Sequence, residues 1–263
     1  MSIVTTSQTL SQRDKKRITA LKQRKERLAE RLFVAEGPKL IEELLVAFPC
    51  RLLVTTASEY VRVEHLGWIE RVVLLPDSYD FGSISSQRSP RPMIALLELP
   101  PSCSSYCLDA PTLLLDNVQD PGNVGSIIRS ADWFGIRHIL TTEGTADSFS
   151  PKVVQATMGA LARVRVTPIG DLSSLFAEVK QRQIPLLGTF LDGENIFKMK
   201  PFSRAIPYII VMGNEGQGIS PCIAEQVTHR LTIPSSVPDG MQVESLNVAA
   251  ATAIVLSYLR REE

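Results

Sequence analysis

The chain has 263 residues, and its 28 basic and 28 acidic side chains give a formal net charge of zero. Hydrophobic residues make up 44% of it, which is too many for a disordered chain and enough for sizeable cores. The neutral total argues against a protein that coats nucleic acid by bulk charge. No apolar run approaches the roughly 18–20 residues of a membrane span. The polar residues 1–10 are not typical of a signal peptide.

Positive charge is concentrated near the start of the chain. Between Arg13 and Arg31 there are nine basic and three acidic residues, a local net charge of +6. Ile18, Leu21, Lys25/Leu28 and Leu32 recur at helical spacing, which predicts one amphipathic basic helix with a narrow apolar stripe. Such a helix is either a solvated surface or a surface that contacts phosphate groups.

The elements that follow, to about residue 97, alternate between strand and helix, which predicts a small α/β domain. We expect strands at 33–36, 51–56, 71–75 and 93–97, and helices at 39–47 and 58–66. A Pro-Pro pair followed by serines then interrupts both kinds of element. We therefore place a linker at 99–111, between a first domain at 1–98 and a second at 112–263.

The second domain is predicted to contain a larger, mainly parallel sheet, because short apolar runs alternate with helical stretches. We expect strands at 113–115, 136–140, 164–166, 186–190, 208–212 and 230–233, and helices at 124–134, 150–161, 171–181, from Pro221 onward and at 246–261. The last helix carries alanine at 249, 250, 251 and 253, which would let a neighbouring element approach closely.

Three polar segments follow strands, at the sheet edge where open α/β folds bind ligands. The first leads from a strand into a helix and contains Asn123 and Arg129. The second, 213–220, has the glycine order G-x-x-G-x-G rather than the dinucleotide order G-x-G-x-x-G. The third runs through a long loop to Ser245 and Asn247 at a helix start. Taken singly, each segment is compatible with ordinary turn or capping chemistry.

Together, the three segments resemble the SpoU (TrmH-like) family of RNA ribose 2′-O-methyltransferases, within the SPOUT superfamily. The matching runs are Asp-Pro-Gly-Asn-Val-Gly-Ser-Ile-Ile-Arg-Ser-Ala-Asp, Gly-Asn-Glu-Gly-x-Gly-Ile-Ser and Ile-Pro…Glu-Ser-Leu-Asn-Val-Ala, in the order of the family. They cover residues 113–260. The run Phe33-Val-Ala-Glu-Gly37 and the residues before it are similar to the substrate-binding domain that precedes the methyltransferase in many members.

The resemblance implies a small N-terminal α/β substrate-binding domain and a C-terminal SPOUT α/β domain with a deep trefoil knot. It also implies that S-adenosyl-L-methionine is the cofactor, bound by Thr189, Met212, Gly213, Ile233 and Leu246. A glycine at 213 would let the cofactor touch the backbone, and Ile233 and Leu246 would supply apolar walls for the adenine. The loop 234–244 is longer than in the commonest members, which leaves its cofactor contacts open.

The implied reaction moves a methyl group from a sulfonium to a ribose 2′-hydroxyl, and it needs in-line placement and help in removing the hydroxyl proton. The resemblance gives Arg129 the catalytic role. Because a guanidinium keeps its proton at neutral pH, the general base is left open: either Arg129 is unusual or it acts through an RNA phosphate. By the same resemblance, Asn123 and Asn247 orient the ribose or the arginine, Ser245 bonds near the phosphate, and Glu215 fixes its loop.

The implied partner is RNA, ribosomal or transfer, because DNA lacks the hydroxyl that would be methylated. The basic helix, through Lys15, Lys16, Arg17 and Lys22, is expected to contact phosphates without reading sequence. Family members are homodimers, which implies a homodimer here, and the alanine-rich last helix either forms that interface or packs within one subunit.

Two other classes fit the sequence less well. A non-catalytic RNA-binding module on the same fold should have lost Arg129, Asn123 or Asn247, and all three are present. A nucleotide-dependent oxidoreductase would need the dinucleotide glycine order. The four cysteines and three histidines have no usual zinc spacing, so we expect no metal, reduced thiols and a cytoplasmic protein without membrane attachment.

Overall fold

The computed structural model describes residues 5–101, 106–200, 202, 206–237 and 245–261. The chain forms two compact units. One consists of Met1–Ser102 with Asp147–Arg163, and the other of Cys103–Ala146 with Val164–Glu263. The first unit therefore contains a segment from the middle of the chain in addition to the N-terminal residues.

The described residues form strands and helices that are numbered here in chain order. The strands are β1 (Thr5–Ser7), β2 (Leu32–Glu36), β3 (Cys50–Thr56), β4 (Arg71–Leu75), β5 (Met93–Glu98), β6 (Thr112–Leu115), β7 (His138–Thr141), β8 (Arg165–Pro168), β9 (Leu186–Asn195), β10 (Ile209–Met212) and β11 (His229–Thr232). The helices are α1 (Gln12–Ala20), α2 (Arg24–Glu30), α3 (Pro38–Leu45), α4 (Ala57–Tyr60), α5 (Pro121–Trp133), α6 (Pro151–Thr157), α7 (Leu172–Gln181), α8 (Pro221–Ala224) and α9 (Val248–Leu259).

The first unit is built on a five-stranded mixed sheet in the order β1-β4-β3-β5-β2. β1, β3 and β4 run parallel, and β5 runs antiparallel to both β3 and β2. The α/β character and the strands β2 to β5 confirm the sequence prediction. β1 was missed because three polar residues show no apolar alternation. The helix predicted at 58–66 is wrong beyond residue 60, where the chain tightens into turns.

The single basic helix predicted from Arg13 to Arg31 is wrong, because the segment forms two helices, α1 and α2. α1 ends at Ala20, and its C-cap residue, Leu21, is fully buried. The guanidinium of Arg27, only 3% exposed, reaches back and donates to the carbonyl oxygens of Leu21 (2.9 Å) and Lys22 (2.8 Å). These bonds satisfy acceptors that the end of a helix leaves without partners, so the break is stabilised by a specific side chain.

Successive residues of β2 pack on opposite faces of the first sheet, as strand geometry requires. Leu32 and Val34 belong to a buried cluster that also contains Ile18 of α1. On the other face, the ring of Phe33 lies 5.0 Å from the ring of Phe149, centroid to centroid. Phe149 belongs to the segment from the middle of the chain, so this contact helps to explain why that segment is part of the first unit.

The second unit is built on a six-stranded sheet in the order β11-β9-β10-β6-β7-β8, with every neighbouring pair parallel. β6 and β10 are buried along their whole length, as expected for strands covered on both faces. α5 and α9 pack against each other. Because the strands all run one way, their carboxyl ends lie at one edge, and this edge carries the three polar segments.

The strand β9 is interrupted at this edge. Its pairing with β11 shifts between Arg230 and Leu231, so residues 189–193 bulge out of the ladder. A Cβ at position 193 would lie 2.7 Å from the carbonyl oxygen of Arg230, which explains the glycine where the strand rejoins its neighbour.

Candidate active site

Asn123 is the point at which the three polar segments meet. It is the third residue of α5, and its N–H donates to the carboxylate of the N-cap Asp120 (2.9 Å). Its side-chain amide donates to Glu215 Oε1 (2.8 Å) in the loop after β10 and accepts from Asn247 Nδ2 (2.9 Å) before α9. Asn123, Glu215 and Asn247, called here the polar triad, therefore join segments that lie far apart in the sequence.

Helix capping fixes the orientation of Asn247. Its Oδ1 accepts from the N–H groups of Ala249 (3.0 Å) and Ala250 (3.2 Å), which makes it the N-cap of α9 and turns Nδ2 toward Asn123. The partners of each amide thus distinguish its oxygen from its nitrogen. The capping role considered for Asn247 is confirmed, whereas Ser245 is exposed and does not cap the helix.

Asp116, at the end of β6, connects the loops around the triad. It is only 4% exposed. Its Oδ2 accepts from the Ser220 N–H (2.7 Å) and its Oδ1 from the Thr142 hydroxyl (3.1 Å). Two donors offset the cost of burying this carboxylate. Asp116 was not among the predicted site residues, although its position at the carboxyl end of a predicted buried strand was an available signal.

The Gly-rich loop after β10 is tightly folded. Asn214 and Gly218 exchange two main-chain hydrogen bonds of 2.9 Å, and the Asn214 side chain accepts from the Gly216 N–H (2.9 Å). A Cβ at Gly213 would lie 2.4 Å from the carbonyl carbon of Gly218. Glycine at this position is therefore required by the loop itself, a reason separate from the cofactor contact that the resemblance implies.

Arg129 lies on the exposed side of α5, six residues after Asn123. It forms no hydrogen bond or ion pair within the part of the chain that the structure describes, and it is exposed. Ser126, one turn earlier, is exposed, and Trp133, one turn later, is 85% exposed. Arg129 thus takes no part in the hydrogen bonds that join the polar triad.

The residues expected to bind the cofactor lie around the ends of three neighbouring strands. Thr189 comes directly after Gly188, the last residue of β9 that pairs with β10. Its hydroxyl donates to the carbonyl of Val211 (3.0 Å). The Met212 side chain is only 1% exposed, whereas Leu246 is 49% exposed. Ile233 is half-buried. Residues 238–244 of the long loop lie outside the described residues.

The basic residues expected to contact RNA are Lys15, Lys16 and Arg17 of α1 and Lys22 just after it, and they differ in their contacts. The Lys15 ammonium lies 5.6 Å from the centroid of the Tyr79 ring, and the Lys22 ammonium donates to the carbonyl of Ser85 (3.2 Å). Lys16 is exposed, and Arg17 pairs with Glu30.

Within the described ranges, no group of His, Cys, Asp and Glu is arranged to hold a metal ion. A search of the same residues finds no helix that is both long and apolar enough to cross a membrane. Cys50, Cys107 and Cys222 are free thiols, and Cys103 lies outside the described residues.

Two family models match the chain. Residues 110–257 match the SpoU rRNA Methylase family, and residues 14–95 match the MRM3-like substrate binding domain. Residues 96–109, which neither model matches, include most of the linker that we placed at 99–111.

Named relatives resemble nearly the whole chain. The 23S rRNA (guanosine(2553)-2′-O)-methyltransferase RlmP of Bacillus subtilis is 30% identical over 239 residues, which is 90% of this chain and 92% of the relative. A protein assigned to the TrmH family of RNA methyltransferases, from Porphyromonas gingivalis, has a solved structure with 48% identity and a TM-score of 0.88, over 96% of this chain and 98% of that one. The AdoMet-bound rRNA methyltransferase from Sinorhizobium meliloti has 27% identity and a TM-score of 0.79, over 98% and 97%.

Proposed function

The chain belongs to the SpoU rRNA methylase family, and on that premise we propose that it methylates a ribose 2′-hydroxyl of ribosomal RNA with S-adenosyl-L-methionine as methyl donor. The observation that carries the proposal is the polar triad, in which Asn123, Glu215 and Asn247 bring the three family segments together. Ribosomal rather than transfer RNA is favoured because RlmP, which covers both units, is named for 23S rRNA.

The residues at the edge of the second sheet fit the cofactor. An adenosine needs apolar walls and a few well-placed polar groups. Leu246 and Ile233 offer exposed and half-exposed apolar surface. Thr189 lies on β9, the neighbour of β11, and its hydroxyl oxygen can still accept a hydrogen bond while its proton goes to Val211. S-adenosyl-L-methionine, when bound, supplies a methyl group activated on a sulfonium sulfur. Met212, whose side chain is buried, would contribute through its main chain, as would Gly213.

Arg129 is assigned to the RNA side of the reaction. Its guanidinium has donors free of other described partners, and a guanidinium binds a phosphate through two parallel hydrogen bonds. A phosphate held in this way would fix the adjacent ribose and place its hydroxyl for attack. The proton of that hydroxyl would pass to a base near Arg129, and the RNA phosphate itself is the candidate because an arginine retains its own protons.

We propose that the polar triad orients reacting groups and does not itself take up or release a proton. Asn123 and Asn247 present fixed amide ends, and Glu215 accepts from Asn123, so the triad can orient the ribose or the side chain of Arg129. Ser245, exposed two residues before Asn247, is proposed to bond near the phosphate.

The remaining organisation is proposed on the same premise. Residues 1–98 form an RNA substrate-binding domain and 112–263 the methyltransferase domain, and the positions of the two family models support a linker at 99–111. A trefoil knot in the second domain is proposed from membership of the family. An exposed Trp133 on α5, beside α9, supports a homodimer. A ribosomal RNA substrate supports a cytoplasmic location.

Methyl transfer to RNA tests the function directly. The purified full-length protein is incubated with labelled S-adenosyl-L-methionine and with ribosomal and transfer RNA fractions separately, followed by digestion to nucleosides. We expect label in a 2′-O-methylated nucleoside of the ribosomal fraction. Label on a base would overturn the reaction, and label confined to transfer RNA would overturn the substrate class.

A further inference from the structure

The first unit contains a groove with a volume of about 680 Å³ at one end of its sheet. β2, β3 and β4 begin at this end, β5 finishes there, and α1 forms one wall. The charged residues of the groove are Arg13, Asp14, Arg17, Glu30, Arg31, Arg51, Glu70, Arg71 and Glu98. Five arginines thus face the same space as four carboxylates, and we refer to it as the arginine groove.

One of these carboxylates, Asp14, lies behind the arginine that it binds. The Asp14 side chain is 7% exposed and pairs with Arg71, which is 35% exposed. Burial alone would raise the pKa of Asp14, but hydrogen bonds from Arg71 and Ser11 outweigh burial and hold that pKa below its ordinary value. Glu30 also pairs with Arg17, and both of these side chains are partly exposed. These carboxylates fix the guanidinium groups and leave other N–H donors of each arginine for a ligand.

Arg51 is held from two sides. Its guanidinium pairs with Glu98 and Glu70 and lies 5.8 Å from the centroid of the Trp68 ring. Its side chain nevertheless remains 42% exposed. Because its rotamer is already restricted, it would lose less entropy on binding a ligand than a free arginine would.

The two sides of α1 differ in what they offer. Arg13, Lys16 and Arg17 share the side that faces the groove and its shallow extension. Arg13 and Lys16 are exposed, and neither has an ion-pair partner in the described part of the chain. On the other side, Lys15 and Lys22 already contact an aromatic ring and a carbonyl oxygen.

We propose that the arginine groove is where the first unit binds the RNA backbone, and that the side of α1 with Lys15 and Lys22 is not. The inference rests on the proposed function, because it takes RNA as the substrate. Guanidinium groups match phosphate oxygens in geometry as well as charge, and several pre-ordered arginines in one groove favour a phosphodiester chain over a single small anion. Trp68, 48% exposed beside Arg51, adds an aromatic surface for an unstacked base.

Two double variants with equal charge changes test the groove. Arg13→Ala with Lys16→Ala removes two positive charges from the groove side, and Lys15→Ala with Lys22→Ala removes two from the other side. Binding of a short RNA hairpin to the full-length protein is measured across a salt series. We expect the groove variant to bind more weakly and to lower the slope of log K against log salt by about 1.4–1.8, as two lost phosphate contacts would. The control variant should keep the slope of the wild type.

Glu70→Gln tests the same groove in the opposite direction. Glu70 is the most exposed of the four carboxylates, at 53%, and it faces an approaching phosphate. Neutralising it should raise RNA affinity about two- to fivefold, in the range of a surface charge interaction. An unchanged or lower affinity would contradict the groove.

The outcomes separate the two proposals. Equal losses of RNA affinity in both double variants would overturn the proposal that the groove binds RNA. So would a groove variant that binds RNA as the wild type does, and that result would point to a protein partner for the groove. An absence of ribose methylation by the wild type would overturn the proposed function instead, since the binding comparison does not depend on turnover.

Discussion

The polar triad and the arginine groove both hold polar side chains in place before a ligand arrives, but by different means. In the triad, helix caps and hydrogen bonds orient two neutral amides. In the groove, carboxylates hold arginines. Placing a reacting hydroxyl depends on the orientation of the hydrogen-bonding groups around it, whereas binding a phosphate chain depends on positive charge. We therefore expect the triad to be insensitive to salt and the groove to be sensitive to both salt and pH.

The largest effect is expected at Arg129, which belongs to neither group of fixed side chains. Arg129→Ala should lower kcat about 10²–10³-fold, the cost of losing a donor aimed at the reacting centre, with little change in the salt slope of RNA binding. Arg129→Lys is the matched control, because it keeps the charge without the planar fork, and it should recover only part of the rate. If instead the salt slope falls as it does for the groove variant while kcat stays intact, Arg129 is a binding residue and the comparison fails.

A smaller effect is expected at Asn247, where capping and orientation can be separated. Asn247→Ala removes the cap and should cost about 1 kcal/mol of stability, or roughly 2–4 °C in Tm. Asn247→Asp keeps an acceptor for the helix but cannot donate to Asn123. Both variants should lose about tenfold in kcat, as expected for one oriented hydrogen bond, while only the alanine variant loses stability. Full activity in the aspartate variant would remove Asn247 from the site.

The smallest effect is expected at Asp14, and it should depend on pH. The lowered pKa of Asp14 means that its ionised form stabilises the folded state at every pH above its unfolded pKa of about 3.9. This contribution is lost as the pH falls through the lower pKa of the folded state. Asp14→Asn should therefore cost about 1 kcal/mol at neutral pH, and the difference from the wild type should shrink in acid. Urea unfolding at neutral pH and at the lowest pH that preserves the fold measures both values. A difference that does not change with pH would show that the ion pair with Arg71 is not its source.

The sequence predicted most of the strands and the segments of the site, because apolar periodicity and strand-end polar residues are local signals. It did not predict the turn between α1 and α2, which depends on the guanidinium of Arg27 reaching back to Leu21. Nor did it predict that Phe149 would pack on Phe33, since two residues 116 positions apart leave no local pattern. The roles of the individual site residues stay predictions until variants are measured.

The role of Asp116 was missed for a related reason. Its importance lies in Ser220, 104 positions away, and in Thr142. A pattern within a few residues of Asp116 shows only a polar residue at a strand end. The family resemblance directed attention to Asn123 and Arg129 in the same segment, whereas the contacts of Asp116 become visible only when the loops are seen together.

The placement of Asp116 also bears on how the site fluctuates. Three loops, after β6, β7 and β10, meet at this one buried carboxylate. If Ser220 moves away, one oxygen of the buried carboxylate loses its hydrogen-bond donor, and only the bond from Thr142 then offsets the free-energy cost of burying the charge. Openings of these loops are therefore coupled, and the edge of the sheet that carries the triad loosens as one cooperative unit rather than loop by loop.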